Sequence, residues 1–192
     1  MYFVYRDGIY IDAAGQSFRD FMDGILPALP GEKPLMSDWI DHMSTAFPEV
    51  RLKQFLEMRG TDGGPWSRLC ALPAFWVGLL YDSEARAAAW DLVKDWSVDE
   101  LQVLRNEVPR QALTTTFRNR TLKEVALDVL QISHKGLQNR KRFDTLGMDE
   151  THFLKPMFQT AHSGLTPADE LLAAYEGRWE GSVDPVFQEY PY

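Results

Sequence analysis

The stretch Phe47-Pro48-Glu49-Val50-Arg51-Leu52-Lys53-Gln54-Phe55-Leu56-Glu57-Met58-Arg59-Gly60-Thr61-Asp62-Gly63-Gly64-Pro65-Trp66 decides the fold. Residues Val50–Arg59 read as one strand. Successive side chains of a strand alternate, so Phe55, Glu57 and Arg59 share one face while Leu56 and Met58 share the other. Gly60-Thr61-Asp62-Gly63-Gly64-Pro65 is a loop that stops it. From Trp66 onward the patterning is mostly helical. Strands first and helices after describe an α+β protein.

Upstream, Tyr2–Tyr5 and Ile9–Asp12 flank Arg6-Asp7-Gly8 and predict a hairpin, because Asp and Gly tolerate positive φ. A chain that opens on a hairpin is expected to lack upstream strands that would cover its edge. Ser17 is placed to cap a short helix through Met22, ended by Gly24. The prolines of Pro27-Ala28-Leu29-Pro30-Gly31-Glu32-Lys33-Pro34 make a loop. Ser37 then caps a helix to about Ala46, with Trp39, Ile40 and Met43 on one face.

Downstream, one helical segment runs from about Trp66 to Tyr81 and another from Ser83 to about Trp96. Ser97-Val98-Asp99-Glu100 and Thr121-Leu122-Lys123-Glu124 are capping boxes, in which hydroxyl and carboxylate each take an orphan N–H. The first helix should end near Pro109. The second carries Leu122, Val125, Ala126, Val129 and Ile132 at helical spacing, and stops after Gly136–Leu137 or a little later. Thr166-Pro167-Ala168-Asp169 opens another helix, with Gly177 past its end. Trp179–Tyr192 reads as an extended tail.

Composition narrows the function. The chain has 192 residues, is 45% hydrophobic and 25% charged, and carries a net charge of −8 with a pI near 5.0. That is the mix of an ordinary globular protein. The acidic balance argues against a nucleic-acid partner, which needs clustered Lys and Arg. The one dense basic run, Arg140-Lys141-Arg142 after Lys135, reads as a solvated helix end. Leu72–Tyr81 is the longest apolar run, but with Pro73 and Gly78 it is too short to span a bilayer, so no membrane partner is expected. The single cysteine, Cys70, lies in apolar Leu69-Cys70-Ala71-Leu72 and reads as a small hydrophobe. Met1–Asp7 is strand-like and shows no basic leader, so a cytosolic, cytoplasmic location is expected if Met1 is the start. His42, His134, His152 and His162 lack metal-ligand spacing. Ser133-His134 has no carboxylate at obvious range for a triad. Leu171–Tyr175 is an amphipathic helix face that core packing explains.

Chemistry concentrates at Glu57 and Arg59. Two apart on a strand, they project side by side. A carboxylate offers one hard oxygen to Mg²⁺, and a guanidinium offers a fork to a carboxylate or phosphate. Phosphoryl chemistry uses that pairing, with a metal and a cation neutralising the same oxygens. The glycine-rich loop beyond lets backbone approach a ligand closely. The same spacing also describes an exposed ion pair beside a turn, which contributes little.

The stretch from Phe47 to Lys53, with Leu56-Glu57-Met58-Arg59-Gly60, Asp62-Gly63-Gly64-Pro65-Trp66 and Arg68 through Asp82, closely resembles the plant and proteobacterial type of glutamate–cysteine ligase. Met1–Gly8, Ala14–Phe18, Gly164–Asp169 and Ser182–Phe187 extend the likeness over nearly the whole chain. Members of that family are longer, so residues 1–192 look like the C-terminal portion of a single catalytic domain whose upstream half is a missing partner. The resemblance implies part of a glutamine-synthetase-like antiparallel sheet followed by a predominantly helical portion. It implies ATP and Mg²⁺, with glutamate and cysteine as small-molecule substrates. Mg·ATP would phosphorylate the γ-carboxylate of glutamate, and the cysteine amine would displace phosphate to give γ-glutamylcysteine, the first step of glutathione biosynthesis. Glu57 would hold the metal. Arg59 would be the catalytic residue, steadying glutamate or the moving phosphoryl group. Trp66 would pack against substrate or lie in the core, and Arg6 would face the bowl or sit exposed on its turn. The family often has Lys-Thr-Pro-Phe-Arg where this chain reads Thr114-Thr115-Thr116-Phe117-Arg118. Arg118 remains a substrate contact on a loop expected to be looser. Plant members carry further cysteines for redox control of dimerisation; with Cys70 alone, that control is expected to be missing. Two alternatives remain: a catalytically inactive piece, or a related ligase with another amine acceptor.

Overall fold

Positive φ at Asp7 (50°) and Gly8 (83°) reverses the chain within two residues, the turn whose twist matches paired strands. In the computed structural model, which describes residues 1–61 and 63–190, β1 (Phe3–Arg6) therefore pairs antiparallel with β2 (Ile9–Asp12), Val4 opposite Ile11. The chain divides into two compact units, Met1–Asp62 and Gly63–Tyr192.

In the first unit, Val4, Ala13, Phe21 and Leu26 form a small core, with Met1, Phe18, Ala28 and Leu29 against it. α1 (Phe18–Met22) starts at Ser17, whose hydroxyl accepts the Arg19 amide at 3.1 Å. α2 (Met36–Ser44) begins two residues earlier than a Ser37 cap would set it. The Asp38 carboxylate accepts the Leu35 amide at 2.7 Å, so the acid three residues on captures the orphan donor and fixes the start. Trp39, Ile40 and Met43 all remain exposed.

The single strand expected over 50–59 is a hairpin. β3 (Val50–Leu52) and β4 (Leu56–Met58) pair antiparallel, with Arg51 opposite Glu57. Lys53, Gln54 and Phe55 make the reversal, closed by the Lys53 amide on the Phe55 carbonyl at 2.9 Å. None of these residues carries turn chemistry. What favours the fold-back is the opposite-charge pair it sets across the strands.

In the second unit, the segment expected from Trp66 to Tyr81 is two helices, α3 (Trp66–Leu69) and α4 (Ala71–Leu80). Pro73 has no N–H to return to the Leu69 carbonyl, which accounts for the break at Cys70. α5 (Ser83–Val93) is capped by Asp82, which accepts the Ala85 amide at 2.8 Å. α6 (Val98–Gln111) carries the expected Ser97–Glu100 capping box. It runs two residues past Pro109, because a proline in the last turn removes only one backbone bond. β5 (Thr116–Phe117) and β6 (Arg120–Thr121) form a third hairpin. α7 (Leu122–Arg140) opens on the Thr121–Glu124 capping box and ends at Lys141, in a left-handed conformation. A 3-10 turn (Glu150–Leu154) leads into α8 (Lys155–Ser163), and α9 (Pro167–Glu176) opens on Thr166 and Asp169 as expected. The segment expected to be an extended tail instead folds back through α10 (Val186–Glu189). Trp179 is buried there, its indole N–H donating to Glu189 at 2.8 Å. Pro191 and Tyr192 lie outside the described residues.

The fold is thus α+β, with antiparallel pairing throughout; the described strands form three separate two-stranded hairpins. No helix among the described residues is long and apolar enough to cross a membrane.

The second unit is organised by α4 against α7. Ala74, Leu137 and Leu154 are its buried cluster, flanked by Phe75, Val77, Met157 and Phe158. The helices meet at Gly78 and Gly136: a Cβ on Gly136 would lie 1.9 Å from the Gly78 carbonyl oxygen. Ser133, fully buried, donates its hydroxyl to the Phe75 carbonyl at 2.9 Å. Backbone cannot retreat as a flexible side chain can. Gly136→Ala should therefore cost about 3 kcal/mol or more. Gly147→Ala, at φ 77° with nothing within 4 Å, should cost only about 1 kcal/mol. Urea denaturation of both variants checks this, and equal losses would refute the crossing as the sensitive point.

Candidate functional site

Glu57 lies on β4 and Arg59 just past its end. The Arg59 amide donates to the Glu49 carbonyl at 2.8 Å, extending the ladder one residue beyond the strand. The extended backbone keeps both side chains on one face. Arg51 and Lys53 flank the acid: Arg51 Nε is 3.6 Å and Lys53 Nζ 3.9 Å from Glu57 Oε2. Both distances exceed hydrogen-bond length. The Arg59 guanidinium lies over the Phe47 ring, 5.4 Å from its centroid.

Among the described residues, Glu57 Oε2 and Arg59 Nη1 are buried atoms without a hydrogen-bond partner. An unmet buried donor or acceptor costs about 1–3 kcal/mol. Arg51 and Lys53 are the residues that sequence reading passed over. Their signal was the alternation Arg51, Lys53 and Glu57, which only the hairpin register brings together.

The implied magnesium ion is testable against this set. No group of three or more His, Cys, Asp or Glu among the described residues is placed to hold a metal. Mg²⁺ often takes only one or two carboxylates, the rest of its shell being water and substrate phosphate. Glu57 Oε2 therefore fits as a single ligand, with the two flanking cations competing for it.

The other candidate arginines are engaged. Arg6 forks onto Asp38 at 2.6 and 3.0 Å, reaches Glu32 at 3.2 Å and the Tyr5 carbonyl at 2.8 Å, and lies over Phe21. Four of its five donors are thereby used, and it ties β1 to α2. Burial pushes the Asp38 carboxyl up. The hydrogen bonds from Arg6 and the Leu35 amide, with the Arg6 charge, outweigh burial and hold it below the ordinary value.

Arg118 occupies the two-residue turn between β5 and β6, at φ 48° beside Asn119 at 61°. It bonds both Glu100 oxygens, at 2.6 and 2.7 Å, and the Asp95 carbonyl. The loop expected to loosen is pinned. Thr115 is buried, its hydroxyl donating to the Ala112 carbonyl at 2.8 Å, and the Leu122 amide returns to Thr115 at 2.8 Å. Trp66, by contrast, is 72% exposed at the start of α3. It is not a core residue of its unit. The structure therefore places Glu57 on β4 and Arg59 just past it, and commits Arg6 and Arg118 to partners within the fold.

The family model described as glutamate-cysteine ligase family 2 (GCS2) matches residues 1–189, and the chain belongs to that family. The chloroplastic glutamate–cysteine ligase of Nicotiana tabacum is 53% identical over 192 residues, all of this chain and 36% of that protein. Glutamate–cysteine ligase A, chloroplastic, of Oryza sativa subsp. indica is also 53% identical over the whole chain, which covers 38% of it. The chloroplastic enzyme of Arabidopsis thaliana is 53% identical, with 36% covered. The chain thus spans little more than a third of the length of these relatives. Their names overturn the cytosolic expectation. That expectation rested on the first seven residues, and a chain matching about a third of such proteins carries no information about a leader.

Two measurements check the arginine assignments. Asp38→Ala leaves Arg6 without its buried partner and should destabilise the protein by about 3 kcal/mol, read by chemical denaturation. The Glu100 carboxyl is held down to about 2 from 4.5, first by Arg118 and then by the Ser97 amide. A depressed carboxyl stabilises the fold above its unfolded value, and that contribution is lost as pH falls from about 4.5 through about 2. An NMR titration should find Glu100 near the lower value, and Arg118→Met should return it toward the ordinary range. A Glu100 midpoint unmoved by the substitution would break the pairing.

Proposed function

We propose that this chain supplies part of the active site of an ATP-dependent ligase that joins the γ-carboxyl of glutamate to the amine of cysteine. The observation that carries the reading is that Glu57 Oε2 on β4 and Arg59 Nη1 just past its end are buried atoms with no hydrogen-bond partner among the described residues. Family membership supports it, as do the ligase names of the relatives. Because the chain covers about a third of those relatives, the remaining substrate and metal groups would come from the rest of the protein.

In this reading the γ-carboxylate of glutamate accepts the terminal phosphoryl group of ATP and releases ADP. The cysteine amine then attacks the acyl carbon, loses a proton, and expels inorganic phosphate. Both steps gather negative charge on oxygen. Arg59 offers a fixed guanidinium to those oxygens, its plane held over Phe47 so that little reorganisation is needed as charge develops. Arg51 and Lys53 set the orientation of Glu57 through charge. Magnesium, where bound, would neutralise phosphate oxygens, with Glu57 as one ligand. Alignment and charge neutralisation suffice, and no covalent bond to the protein is required.

In the complete protein carrying this region, Glu57→Gln and Arg59→Lys should each lower kcat/KM for γ-glutamylcysteine formation by at least 100-fold, with melting temperatures close to that of the parent. Both variants keep size and polarity but lose the charge or the fork. Wild-type turnover in either would remove that residue from the site.

A further inference from the structure

Arg6, Arg118, Arg140 and Arg178 each lie over an aromatic ring, and each also pairs with a carboxylate. At Arg59 the contact that the described residues provide is the ring of Phe47, its centroid 5.4 Å from the guanidinium carbon. The two kinds of restraint differ in what they use up. A carboxylate holds an arginine through its N–H groups, which lie in the guanidinium plane. A ring holds the same plane through the attraction of a cation to its negative face, and takes no N–H. Arg59 Nη1 is buried without an acceptor among the described residues, so the ring fixes the group and leaves that donor unspent. Phe47 itself is 68% exposed. A ring so open gains little from burial, and core packing does not account for its place. Pro48 follows it, and a proline steers the residue before it toward extended backbone. The Arg59 amide is tied to the next residue, donating to the Glu49 carbonyl at 2.8 Å. Ring and guanidinium are thus anchored from one short stretch of backbone.

We infer that Phe47 is a positioning residue for the ligase reaction, acting through Arg59. The face of its ring holds the guanidinium plane in the orientation that meets charge developing on substrate oxygen. This role rests on the ligase reading of Arg59, and it goes further in naming the group that fixes the arginine and the force it uses. Loss of the ring acts on kcat and spares KM. A loosened arginine still attracts an anion, but it no longer stands aligned for the transition state. The effect follows the electrostatic potential of the ring face, and ring volume alone does not supply it.

Steady-state kinetics on the complete protein carrying this region test it with a series at position 47. Phe47→Tyr and Phe47→Trp keep a negative ring face and should hold kcat within about twofold of the parent. Phe47→Leu removes the ring and should lower kcat about fivefold or more, with KM for glutamate and ATP within about twofold. Pentafluorophenylalanine at position 47 keeps the shape but reverses the sign of the face, and should be at least as slow as leucine. A ring serving only as a spacer would give pentafluorophenylalanine the parental kcat. On the 192-residue chain itself, proton NMR should find the Arg59 side chain shifted upfield by the ring, and Phe47→Leu should abolish that shift. Circular dichroism and melting temperature establish that the variants are folded. Parental kcat with leucine or pentafluorophenylalanine, or an Arg59 resonance unmoved by removal of the ring, overturns the inference. Parental turnover in Arg59→Lys would overturn the ligase reading itself. Lost turnover in Arg59→Lys beside a flat series at position 47 overturns the positioning role alone.

Discussion

In the Gly63–Tyr192 unit α4 and α7 cross in close backbone approach at Gly78 and Gly136, and much of that unit's geometry follows from it. Neither position leaves room for a methyl group. A Cβ on Gly78 would sit 2.3 Å from the Ser133 carbonyl oxygen, and one on Gly136 would also press on the Ala85 methyl at 2.9 Å. Three helices therefore converge where side chains are smallest, and the interior fills on either side with Ala74, Leu137 and Leu154. Close approach of this kind is how a well-packed interior transmits position. It explains why the apolar run of α4 is interrupted by a glycine. It also explains why Ser133 is tolerated at zero exposure: its hydroxyl is spent on the Phe75 carbonyl. α8 packs on the same α7 scaffold.

Features that depend on residues within four positions of one another were legible in the sequence. The Asp7-Gly8 turn, the Ser17 cap, and the boxes at Ser97, Thr121 and Thr166 needed no information from elsewhere. Features set by distant contacts were not. The reversal at Lys53–Phe55 contains no glycine, proline or asparagine, and alternation continues through it, so a hairpin and one long strand look alike until Arg51 is seen opposite Glu57. The return of α10 depends on a bond from Trp179 to Glu189, and a 14-residue stretch without periodicity gives no hint of it.

The candidate arginines carry the same lesson at the level of chemistry. Arg6, Arg59 and Arg118 are equivalent letters in the sequence. Arg6 is taken by Asp38, 32 positions away, and Arg118 by Glu100, 18 positions away. An arginine whose donors are satisfied inside the fold has little left to give a substrate, because any new bond must first break an existing charged one. Arg59 differs in kind. Its backbone is anchored, its plane rests on an aromatic ring, and one terminal nitrogen is buried with no acceptor among the described residues. Fixed position and unmet bonding together are what electrostatic preorganisation requires.

Glu57 completes the argument by what surrounds it. The Glu57 carboxylate lies 3.6 and 3.9 Å from Arg51 and Lys53 without being hydrogen-bonded by either. A pair bonded at closer range would have closed the site on itself. A solvent-exposed pair would have been screened into irrelevance. The β3–β4 hairpin places one cation on the strand opposite the acid and the other at the turn. On this view the three-residue reversal that the sequence concealed is the device that brings Arg51 and Lys53 to Glu57.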